Sequence, residues 1–136
     1  MAGQKDTLVN MGLHITQADA ILGGRVTGDG GAVTQATNRT TGVTLSKMCG
    51  TITTHNASLA GLASAEFVVT NTLVKATDVV VTSIQSGSNS GGTIVSVSTV
   101  AAGSFKILVS NNNAAAGTAE TGAILINFLV LPSVAA

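Results

Sequence analysis

The sequence predicts an all-β fold, an antiparallel β-sandwich of about eight strands preceded by an amino-terminal arm. After Gly31, short runs rich in Val, Ile and Thr are separated by Gly, Asn or Ala-Gly breaks. β-Branched residues are favoured in strands because their stiff side chains pack well on a pleated surface. Apolar and polar residues also alternate, as in residues 104–110, and this period of two is typical of a half-buried strand.

Residues 1–30 differ from the rest and form the predicted arm. They carry five of the chain's twelve charges and end in glycine-rich sequence. Thr16 is a candidate cap for a short helix over residues 17–22, with Gly23 as its terminator. The alternative is that this segment is a frayed terminus or the leading strand of the same domain.

Residues 31–136 form the predicted sandwich domain. Its expected strands are residues 32–38, 42–45, 51–54, 65–71, 78–84, 93–100, 104–110 and 122–131. The connections look hairpin-like, with a tight turn at residues 101–103 and a longer loop at residues 85–92, so sequential strands are expected to be mostly antiparallel. One turn of helix is expected within residues 56–65, where helical periodicity is weakly present.

The last strand has two apolar faces. One face carries Ile124, Ile126, Phe128 and Val130. The other carries Leu125, Asn127, Leu129 and Leu131. A two-sheet sandwich covers only the inner face of each strand, so the outer face needs a second subunit or the arm. The sequence therefore predicts these last four residues as an oligomer interface.

The composition excludes several classes of protein. Only 9% of residues are charged, against roughly 25% in a typical soluble domain, which favours extra burial in an oligomer. A hydrophobic content of 45% excludes disorder, and zero net charge gives no electrostatic footprint for nucleic acid. No apolar run is long enough for a membrane helix, and three phenylalanines cannot supply the aromatic girdles of a membrane barrel. The lack of a signal-like start and the single cysteine indicate synthesis in a cytosol.

The sequence contains few candidates for chemistry. Cys49 and His55 lie near one another, but one short strand does not specify an activating site, and a small buried hydrophobe explains Cys49 better. The histidines and carboxylates lack metal-ligand spacing and paired acid–base spacing. A calcium site built from Asp29 and loop carbonyls is the remaining alternative. We expect no enzyme activity, no cofactor and no metal.

Five stretches, in this order, resemble a β-domain found in the virion proteins of tailed bacteriophages. They are GAVTQATNRTTGVTLSKMCGTITTH from Gly31 to His55, AEFVVTN from Ala65, DVVVTSI from Asp78, AAGSFKILVSNNNAAAG from Ala101 and AILINFLVL from Ala123. The resemblance covers about residues 31–132 and includes no catalytic motif.

That β-domain is similar to trimeric, jelly-roll-like folds that serve as capsid decoration (cement) proteins and as end domains of fibres or tail spikes. The resemblance implies a homotrimer on the virion. A short chain with one domain and an arm favours a decoration protein on the capsid exterior, in contact with the major capsid protein through the arm. The alternatives are a receptor-binding or fibre-tip domain and a tail-tube or other virion component.

Overall fold

The computed structural model describes residues 30–115 and 117–133. The predicted arm and its short helix lie outside these residues, apart from Gly30. The described chain forms eight strands, β1 (Gly30–Thr34), β2 (Val43–Thr44), β3 (Cys49–Thr53), β4 (Ser64–Thr70), β5 (Val79–Ser86), β6 (Thr93–Ala101), β7 (Ser104–Asn111) and β8 (Leu125–Leu131).

The strands form two sheets of four. Sheet A has the order β1-β3-β8-β5, and sheet B has the order β2-β4-β7-β6. Each predicted strand overlaps one of the observed strands, and the predicted all-β, two-sheet sandwich is confirmed.

The two sheets are mixed. β1 pairs with β3 and β2 with β4 in parallel, whereas the other four pairings are antiparallel. The first six strands alternate between the sheets, so strands two apart in sequence become neighbours and two such pairs run in the same direction. Among the described strands, β6 and β7 form the one hairpin between consecutive strands, and their turn includes Gly103 at φ 81°.

Two expectations about the connections are wrong. The loop after β5 does not close a hairpin but crosses from sheet A to sheet B, because turn residues specify a change of direction and not which strands pair. The expected helical turn within residues 56–65 is extended chain and a turn. There Leu59 forms an antiparallel bridge with Glu120, and Leu62 takes a left-handed φ of 64°.

The core lies between the sheets and follows from the alternation along each strand. Both sheets contribute side chains that are almost fully buried, among them Ile52, Phe67, Ile107 and Ile126. The rings of Phe105 in sheet B and Phe128 in sheet A lie 5.3 Å apart and tilted, which is a favourable aromatic geometry. The predicted inner face of the last strand is confirmed, since Ile124, Ile126, Phe128 and Val130 are all buried.

A matched pair of isoleucines tests this assignment of faces. Ile107 is fully buried on β7, and Ile94 is 52% exposed on the neighbouring strand β6. We expect Ile107→Ala to lower the free energy of unfolding by about 2–5 kcal/mol through lost burial and a cavity. We expect Ile94→Ala to cost less than about 1 kcal/mol. Urea unfolding measures both, and similar losses in the two variants would contradict the assignment.

Candidate interaction surface

The outer face of sheet B is polar and contains an ion pair. Lys106 Nζ lies 3.0 Å from Glu66 Oε2 across the β4–β7 pair. The Ser98 hydroxyl donates to Glu66 Oε1 at 2.6 Å, and the hydroxyls of Ser64 and Ser110 are hydrogen-bonded. Apolar side chains are interspersed, namely Val68 at 39% exposure and Ile94 at 52%. This face is an ordinary solvated sheet surface.

The outer face of sheet A has a different character. Alternation and register place ten side chains of β3, β5 and β8 on it, and we call this set the sheet A face: Cys49, Thr51, Thr53, Val79, Val81, Ser83, Leu125, Asn127, Leu129 and Leu131. None of the ten is charged. β1 extends the same surface with Ala32 and Thr34, which are also uncharged.

The four residues predicted as an interface lie together on this face. Leu125, Asn127, Leu129 and Leu131 are half-buried and alternate with the buried residues of β8. β8 is a central strand of sheet A, so these four residues lie between β3 and β5. Their placement on one outward-facing surface agrees with the sequence, while their role as an interface stays a prediction.

The two most exposed apolar members of the face are not among the residues predicted from the sequence. Val79 is 50% exposed and lies opposite Leu131, and Val81 is 45% exposed and lies opposite Leu129. The signal was the run of three valines at residues 79–81, which is apolar on both faces in the same way as the last strand. These valines widen the apolar surface from one strand to two.

A polar row crosses the sheet A face. Thr51, Asn127 and Ser83 lie side by side on β3, β8 and β5. The Thr51 hydroxyl donates to Asn127 Oδ1 at 2.8 Å. Beside this row is a shallow depression of about 250 Å³, lined by Val81, Thr82, Ser83, Asn127, Phe128 and Leu129. The centre of the face therefore has both shape and hydrogen-bonding groups.

A second cluster, around the buried carboxylate of Glu120, lies at the end of the sandwich where β8 begins. Its oxygens accept hydrogen bonds from the hydroxyls of Ser88 and Thr93 and from the main-chain amides of Asn89, Ser90 and Gly122. Most of these donors belong to the segment that crosses from β5 to β6. One carboxylate thus binds that crossing loop to the segment leading into β8.

The hydrogen bonds control the charge of Glu120. Burial by itself raises the pKa of this carboxyl, but the hydrogen bonds from Thr93, Ser88, Gly122 and Asn89 outweigh burial and lower the pKa from 4.5 to about 2. The side chain is therefore a carboxylate at neutral pH. Both of its oxygens already accept hydrogen bonds from the loops, so Glu120 has a structural role and is not a free acid or base.

Arg39 connects a third loop to the same cluster. Its guanidinium donates to the carbonyls of Glu120 and Gly122, to the carbonyl of Ala57 and to the Thr54 hydroxyl. Burial lowers the pKa of Arg39, and the negative charge of Glu120 opposes this shift. Because an arginine stays protonated in proteins, the two buried charges compensate one another while each is satisfied by polar groups of the loops.

The structure does not bring the other candidate residues into a reactive arrangement. Cys49 begins β3 and faces outward, whereas His55 follows the far end of that strand and accepts a hydrogen bond from the Ala57 amide through Nδ1. Within residues 30–115 and 117–133, no three His, Cys, Asp or Glu side chains are grouped as metal ligands. Asp29 lies outside these residues.

Residues 30–115 and 117–133 contain no helix long and apolar enough to cross a membrane.

Comparison of the chain with protein-family models, with curated proteins and with solved structures finds no match.

A matched pair of carboxylates tests the role of Glu120. We expect Glu120→Gln to lower the free energy of unfolding by about 2 kcal/mol at pH 7, because an amide replaces a buried charged acceptor. Because the pKa is lower in the folded chain, Glu120 stabilises the fold fully above pH 4.5, and this contribution is lost as the pH falls toward 2. Urea unfolding from pH 7 to pH 2 measures both effects.

The exposed Glu66 provides the control, since Glu66→Gln removes a carboxylate from the surface of sheet B. Its unfolding free energy should stay close to the wild-type value, because an ion pair exposed to solvent contributes little to stability. The unfolding free energy of Glu120→Gln should also fall less than that of the wild-type chain as the pH is lowered from 4.5 toward 2. Equal stability of Glu120→Gln and the wild-type chain at pH 7 would contradict the assigned role.

Proposed function

We propose that this chain is a structural protein of a bacteriophage virion, a homotrimeric decoration protein that binds the outside of the head and stabilises the shell. The observation that carries the assembly part of the proposal is the uncharged, largely apolar sheet A face. The placement on a phage head comes from the resemblance of residues 31–132 to virion β-domains. In this proposal the predicted arm is the part of the chain that contacts the major capsid protein.

The sheet A face has the properties needed for contact between subunits. Val79 and Val81 are about half exposed, and Leu125, Leu129 and Leu131 are half-buried beside them. Burying the remaining area of such a side chain contributes about 1 kcal/mol, given about 1.5–3 kcal/mol for a full Val or Leu side chain. No charge must be desolvated on this face, so this gain is not opposed by the penalty that a buried ion carries.

The other outer face is suited to solvent. Sheet B keeps the Glu66–Lys106 ion pair and several hydroxyls on its surface. The difference between the two outer faces supports an orientation in which sheet A turns toward the other subunits. Modest interfaces of this kind become effective when they are repeated over a capsid lattice, because binding at several points lowers the cost of each further contact.

Aspartate substitutions on the two sheets test the interface. We expect Leu129→Asp and Val81→Asp to convert the oligomer to monomers or aggregates, because each would bury an unpaired charge at the subunit contact. Val68→Asp is the matched control, since Val68 has an exposure similar to that of Val81 but lies on sheet B opposite Lys106. Sedimentation equilibrium of the three variants gives the result. Unchanged association in both sheet A variants would contradict the proposed interface.

Electron microscopy of purified virions tests the location. We expect density for this chain on the head, at symmetry axes or between capsomers. Heads prepared without the protein should release DNA at a lower temperature, and adding it back should restore the wild-type value. Density at a fibre tip, together with adhesion of the purified protein to host cells, would replace the decoration proposal with the receptor-binding alternative.

A further inference from the structure

The polar row on the sheet A face is unusual because it lies within an apolar surface. Leu125 lies on one side of Asn127 along β8, and Leu129 lies on the other. The cross-strand neighbours of Leu129 are Cys49 and Val81, so the next row along the sheet is uncharged and weakly polar at most. Asn127 is thus the most polar group that a partner on this face would cover.

Within the described residues, the Asn127 amide is only partly satisfied. Its Oδ1 accepts from Thr51, whereas its Nδ2 donates to no protein acceptor there. In the single chain the half-buried side chain remains open to solvent. A partner that covered this face with apolar groups alone would leave the amide unsatisfied, at a cost of about 1–3 kcal/mol.

A second copy of the chain carries the groups that would satisfy this amide. The row presents a donor at Nδ2 and an acceptor at the Ser83 hydroxyl, and the two side chains are directly opposite on paired strands. The row is therefore self-complementary in hydrogen bonding. The face around it carries no charge, so two copies would not repel one another.

We propose that Asn127, supported by Thr51 and Ser83, fixes the register and the number of copies in the assembly. This inference rests on the proposed function, since it requires that the sheet A face meets another subunit. Contacts between leucines and valines are non-directional and tolerate sliding. Hydrogen bonds are directional, and rows on a strand face are about 6.7 Å apart, so a slip by one row would leave Asn127 against apolar side chains.

The same physical principle operates where a single buried asparagine specifies the register of a coiled coil and lowers its stability. Thr51 contributes by donating its hydroxyl hydrogen bond to Oδ1 at 2.8 Å, which fixes the orientation of the Asn127 amide. Asn127 accordingly determines how the subunits align, whereas the leucines and valines around it supply the affinity.

The test replaces Asn127 with an apolar residue of similar size. We expect Asn127→Leu to remain associated but to give a mixture of stoichiometries in native mass spectrometry, where the wild-type chain gives one. Thr53→Val is the matched control, because it also exchanges a polar for an apolar side chain on the same face, away from the polar row. It should retain a single stoichiometry. Asn127→Ala removes the same amide and serves if the leucine variant is insoluble.

Distances between subunits give a second measurement that a general loss of stability would not reproduce. Spin labels at Ser96→Cys, in a Cys49→Ser background, lie on the exposed face of sheet B and leave the sheet A face unlabelled. We expect one narrow set of inter-label distances with Asn127 and a broad or multiple set with Asn127→Leu.

The possible results separate this inference from the proposed function. An Asn127→Leu assembly with the wild-type stoichiometry and distances would overturn the register role, while loss of association in Leu129→Asp would still support the interface. A wild-type chain that stays monomeric would overturn both.

Discussion

The buried carboxylate of Glu120 holds the loop that crosses from β5 to β6 against the segment leading into β8. Because the first six strands alternate between the two sheets, most connections cross the end of the sandwich instead of closing a hairpin. Crossing segments expose main-chain amides and carbonyls that no sheet satisfies. Glu120 accepts from the amides and hydroxyls of one crossing segment, and Arg39 donates to the carbonyls of others.

This arrangement places part of the protein's charge inside the fold. Of the charged residues in the described part of the chain, Arg39, Asp78 and Glu120 are buried, and Glu66 and Lys106 neutralise one another on sheet B. Some of the few charges therefore have a structural role, because they hold the loops together. The sheet A face keeps no charge, and that is the property on which the proposed assembly depends.

Much of the fold could be predicted from the sequence because strands are local. The positions of all eight strands, the inner face of β8 and the tight turn with Gly103 follow from alternation and from turn residues. The buried Glu120 could not be predicted, because all of its donors except the Gly122 amide lie about thirty positions away in sequence, from Ser88 to Thr93. Its neighbours in sequence, two threonines, an alanine and a glycine within residues 118–122, give no sign of a buried anion.

The sequence by itself determined that β8 would have two apolar faces and that Leu125, Asn127, Leu129 and Leu131 would share one of them, since a period of two places alternate residues on the same side of any strand. Only the tertiary structure decided what lies beside them. Strand order places Val79, Val81 and Ser83 of β5 and Thr51 of β3 beside these residues on the same face. Strand order depends on long-range pairing between segments far apart in the chain, and local alternation contains no information about which segments those are.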